Sequence, residues 1–120
     1  MAGLTPAILS ISVAAQAPDP ALADHWNMIG TYCLDCHDFD GFSGGLSLEA
    51  FSPEDVADNP EVFEKVLQKL KIHAMPPRKQ EQPDERERTR FVAALEKTLD
   101  DAAAENPYAG NTTIHRLNRA

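Results

Sequence analysis

The hexapeptide Tyr32-Cys33-Leu34-Asp35-Cys36-His37 separates an amphipathic segment from a glycine-rich one. Before it, Leu22, His25, Trp26, Ile29 and Cys33 recur at helical spacing and give one apolar face. After it, Gly41, Gly44 and Gly45 mark a loop over residues 38–48. Cys-x-x-Cys-His is the pattern of c-type haem attachment. Two thiols three positions apart at a helix end can each add to one vinyl group of a porphyrin. His37 then turns its imidazole toward the iron from the same side.

Other chemistries fit the motif less well. A thioredoxin-like pair needs a strand before it and a helix after it, whereas a helix precedes Cys33 and a loop follows His37. A structural zinc site usually takes four ligands, and the chain has only these two cysteines. A disulfide remains open for an exported chain, although this spacing closes a very small ring.

A second axial ligand is sought among Met and His. Met75 lies in Ala74-Met75-Pro76-Pro77, after a helix and extended by the following proline. Such a segment can cross an open haem face and bring a thioether to the iron. Met is also a common gap-filler, so the haem motif is what raises it to candidate ligand. His73 is the alternative. Met28 lies on the wrong side of the motif, His25 reads as a partly buried helix residue, and His115 belongs to the tail.

The remaining segments read as helices, with no period-2 strand. Asp19-Pro20 opens the first, ending near residues 32–37. Ser52-Pro53-Glu54-Asp55 resembles a capping box over a short helix. Asn59-Pro60 opens the next, with Val62, Phe63, Val66, Leu67 and Leu70 on its apolar face and Pro76-Pro77 as its stop. The last begins around Pro83-Asp84-Glu85 and ends before Asn106-Pro107, with Phe91, Leu95, Leu99 and Ala102 on one face. Glu87, Arg88, Arg90, Glu96 and Lys97 read as its solvated face.

The 120 residues allow one domain, with one Trp, two Tyr and five Phe to build a core. A core of this size contributes about 3–5 kcal/mol, so a staple such as a buried cofactor is expected. The net charge of −8 argues against binding nucleic acid or anionic lipid. It suits either steering toward basic partners or plain solubility. Residues 7–15 form an apolar run too short to span a bilayer, and Ala15-Gln16-Ala17 resembles a signal cleavage site. The basic residues usual before such a run are missing, leaving a weak signal, an upstream start or an apolar leader as readings.

The motif with Tyr32, together with Gly44-Gly45-Leu46-Ser47-Leu48 and Leu70-Lys71-Ile72-His73-Ala74-Met75-Pro76-Pro77, resembles the planctomycete-type cytochrome c domain over about residues 22–105. The resemblance implies His37 and Met75 as axial ligands. The departure is Ile72-His73-Ala74, where the family more often has small or basic residues without His. Residues 113–120, Thr-Ile-His-Arg-Leu-Asn-Arg-Ala, look like the opening of the uncharacterised domain that follows this cytochrome in large planctomycete and myxobacterial proteins.

The expectation is therefore an all-α, class I cytochrome c fold of about four helices around one covalent haem c. The divisions are a leader over 1–17, the cytochrome domain over 18–106 and a truncated following domain over 107–120. Haem attaches at Cys33 and Cys36, and the iron is held by His37 and by Met75 or His73. The first and last helices are expected to cross near Gly30, with Phe91 and Leu95 opposite. Phe39, Phe42, Leu46, Leu48, Phe51, Phe63 and Leu67 are expected to wall the pocket. The function expected is single-electron transfer outside the cytoplasm, with a redox partner protein or an adjoining domain, no membrane span and no substrate chemistry of its own. The alternatives are a domain feeding a larger exported oxidoreductase, or a haem with an open sixth position.

Overall fold

The computed structural model describes residues 19–105 and 107, and among them the chain is all-α. The leader, its cleavage site, the tail and His115 lie outside the described residues. Asp19 starts the first helical run, its Oδ1 accepting the Ala21 amide at 2.8 Å, with Pro20 in the first turn. The run comes in three pieces, α1 (Pro20–His25), α2 (Asn27–Tyr32) and α3 (Leu34–His37). Both joints tighten into i→i−3 hydrogen bonds, Trp26 to Ala23 at one and Cys36 to Cys33 at the other.

Ser52 opens a single 3₁₀ turn over Pro53–Asp55. Its amide and hydroxyl both donate to Asp55 Oδ2, at 2.8 and 2.7 Å. Those hydrogen bonds hold the Asp55 carboxyl below its usual value. Pro60 opens α4 (Pro60–Lys71), while Asn59 turns its side chain back to the Asp55 carbonyl at 2.8 Å. Asp84 caps α5 (Glu85–Glu105), its Oδ1 accepting the Glu87 amide at 2.8 Å.

α5 packs against both α1 and α4. The core is built from Leu22, Met28, Ile29, Phe63, Leu70, Phe91 and Leu95, all buried. Trp26 lies where the helices meet, its ring centroid 5.9 Å from Phe63 and 6.3 Å from Phe91. Such tilted pairs add to the area that the rings bury. The expected crossing at Gly30 is not found. Gly30 is exposed, and a Cβ there would meet nothing nearer than Asn27 Oδ1 at 4.0 Å. The large Trp26 ring, not a missing side chain, mediates the contact. Arg88 is a second correction, because it is buried and not on the solvated face.

Among the described residues no helix is long and apolar enough to cross a membrane.

Candidate functional site

α4 ends at Lys71, five residues before Pro76, by a mechanism that does not involve the prolines. His73 adopts φ 53°. Its amide donates to the Leu70 carbonyl at 3.1 Å, and the Ala74 amide donates to Lys69 at 2.9 Å. This is the Schellman arrangement, in which the left-handed position is normally glycine. The Met75 amide also reaches the Lys69 carbonyl, at 3.3 Å. The chain thus leaves α4 sharply and turns Met75 toward a cleft of about 560 Å³.

Cys33, Cys36, His37 and Met75 all line that cleft. Its volume falls within the range of cofactor-sized sites, about 300–1,000 Å³. Leu46, Leu48, Val62, Val66 and Leu70 make its surface largely apolar, while Lys65 and Lys69 bring cationic groups to it. His73 does not line the cleft. Its side chain is 59% exposed and its Nε2 lies 3.9 Å from Glu85 Oε1. Met28 is buried in the core, and His25 is half-buried without lining the cleft.

His37 is gripped twice by the turn after it. Its carbonyl accepts the Leu48 amide at 2.7 Å, and its Nδ1 lies 3.2 Å from the Leu46 carbonyl. A carbonyl can only accept, so Nδ1 carries the proton and Nε2 keeps its lone pair for a metal. Gly44 and Gly45 at φ 67° and 73° bring that carbonyl into place. Sequence reading gave no means of naming this partner, because a backbone carbonyl has no residue signature.

Both cysteines are half-buried and free. Burial, then the neighbouring Cys36, pushes the Cys33 thiol up to about 11. Reactive redox cysteines shift the other way. Tyr32, also at the cleft, donates its hydroxyl to Glu87 Oε2 at 3.1 Å and so ties α2 to α5. Among the described residues no three His, Cys, Asp or Glu side chains converge as a metal cluster.

No family model matches this chain, and comparisons with curated proteins and with solved structures also gave no match. The site therefore stands on its residues alone.

The wall expected from sequence is corrected in part. Leu46 and Leu48 line the cleft. Phe39 and Phe42 are 65% and 54% exposed, carried outward by a turn. Phe63 is fully buried, with Phe51 packed edge-on at 5.3 Å, and neither ring nor Leu67 lines the cleft. Val62, Val66 and Leu70 take their place, one step around the same helix.

The geometry of His73 makes a direct prediction. A non-glycine residue in the left-handed region is strained, whereas glycine is not. His73→Gly is expected to raise stability by about 0.5–1 kcal/mol, net of the extra freedom of the unfolded glycine. Urea denaturation of the variant beside the parent chain checks it. A loss of stability would contradict the role given to His73.

Proposed function

We propose that this chain binds one haem c through Cys33 and Cys36, with His37 and Met75 as axial ligands, and transfers single electrons. The observation that carries the reading is that a Cys-x-x-Cys-His motif and a distant methionine line one apolar cleft of cofactor size. The donor set also supports it. Two thiols suit thioether attachment, and an imidazole with a thioether suits the iron of a cytochrome c. The class I cytochrome c fold, the likeness to planctomycete cytochrome c domains and an extracytoplasmic location belong to the same proposal.

Bound haem would supply a one-electron couple at its iron. The chain's own residues do the rest. Cys33 and Cys36 would hold the macrocycle covalently, independently of the bonds from His37 and Met75. The Leu46 carbonyl holds the His37 ring in one tautomer and orientation. Leu46, Leu48, Val62, Val66 and Leu70 keep water from the cleft, and burial is one of the levers on potential. Lys65 and Lys69 offer cations to the carboxylates that the macrocycle carries.

The test is an alkaline pyridine haemochrome spectrum of the chain produced with a c-type maturation system. A c-type band is expected, and it should persist after acidified-acetone extraction. Colourless protein from a competent host would end the proposal.

A further inference from the structure

Arg88 lies in the second turn of α5 and is 5% exposed. Its Nη1 donates to the Met75 carbonyl at 3.0 Å and its Nη2 to Gln82 Oε1 at 3.2 Å. Gln82 Nε2 in turn donates to the carbonyls of Pro76, Pro77 and Gln80, at 3.2, 2.9 and 3.1 Å. The need for these donors is written in the sequence. Residues 75–83 include Pro76, Pro77 and Pro83, none of which has an amide hydrogen. The loop is therefore short of backbone donors for its own carbonyls, and carbonyls near a protein interior need partners.

A buried cation is costly unless it is paired. Among the described residues the carboxylate partner of Arg88 is Glu85, whose Oε2 lies 3.8 Å from Nε on an exposed side chain, and Nε makes no hydrogen bond. The compensation for its burial runs instead to the Met75 loop, through one direct hydrogen bond and one relayed by Gln82. Charge-assisted hydrogen bonds of this kind are stronger than neutral ones.

We infer that Arg88, acting with Gln82, is the positioning group for Met75. It fixes the backbone on either side of the Met75–Pro76 bond and thereby governs how readily the thioether leaves the iron. This rests on the haem reading given above. A purely structural role would destabilise the fold without changing the life of the Met75 bond. A positioning role changes that life even where overall stability is matched.

The test uses the haem-loaded full chain, with the far-red iron–sulfur band and the rate of cyanide uptake by the ferric protein as readouts. Cyanide must wait for Met75 to depart. Arg88→Met is expected to raise the uptake rate about 10- to 100-fold, the range for losing a hydrogen bond from a charged group. Gln82→Ala should shift it in the same direction, and Arg88→Lys should restore part of the slow rate. Leu99→Ala, which removes packing on α5 well away from the loop, should lower thermal stability and leave the rate near that of the parent. If Arg88→Met fails to fold, Gln82→Ala, at an exposed residue, carries the test. A parent-like rate in the Arg88 and Gln82 variants, with the band showing Met75 bound, overturns the inference alone. A colourless parent overturns the haem reading and this inference together.

Discussion

Phe91→Ala is expected to lower the unfolding free energy by about 3–5 kcal/mol. Phe91 is 0% exposed and faces Trp26 from the middle of α5. Truncation removes the ring's transfer energy and leaves a cavity that α1 and α5 cannot both close, because Leu22 and Leu95 are already buried beside it. Domains of this length have little stability to lose: about 0.05–0.15 kcal/mol per residue is typical. The haem-free variant should therefore lose a large part of its stability and unfold at lower urea than the haem-free parent. Urea titration of haem-free and haem-loaded protein measures the effect, with Phe42→Ala, at an exposed ring, as a reference expected within about 0.5 kcal/mol of the parent. A loss below about 1 kcal/mol at Phe91 would contradict the packing described.

On the proposed haem reading, Met75→Ala is the second large effect. With the haem attached, the variant should lose the far-red iron–sulfur band. Its potential should fall, by an amount on the order of a hundred millivolts, within the 0.8 V or so over which axial ligands act. Met ligation raises the potential of a haem relative to other axial choices. The reduced variant should also take up carbon monoxide readily, which the parent should do slowly. Little else should change, because the backbone at position 75 is held independently of its side chain. Its amide is anchored on Lys69 and its carbonyl on Arg88. Persistence of the band would show that Met75 is not the ligand.

Much of the architecture could be read from residue types whose chemistry is local. Asp19-Pro20, Asn59-Pro60 and Pro83-Asp84 place three helix starts because side-chain caps and proline geometry act within a few residues. The motif residues and Met75 could be singled out by residue type, and they line one cleft. Arg88 was not legible, although its position offered a clue: 88, 91, 95 and 99 form one helical stripe, so the residue lies in line with the core. Charge suggests solvent, and spacing suggests burial. The outcome depended on a proline-rich loop needing donors, a non-local fact. Gly30 failed in the opposite sense, since a missing side chain permits close approach without requiring it. The end of α4 was assigned to Pro76-Pro77, whereas His73 turns the chain first by taking a conformation that its residue type disfavours.

The double grip on His37 has a consequence for how this site tolerates change. Both groups holding the imidazole and its main chain belong to the backbone of residues 46 and 48. Neither contact uses a side chain of that turn, although Leu48 is itself buried and lines the cleft with Leu46. Adding or deleting a single residue between Gly45 and Leu48 would slide both groups out of register at once. The clasp on His37 is thus independent of side-chain identity and intolerant of any change in the length of that turn.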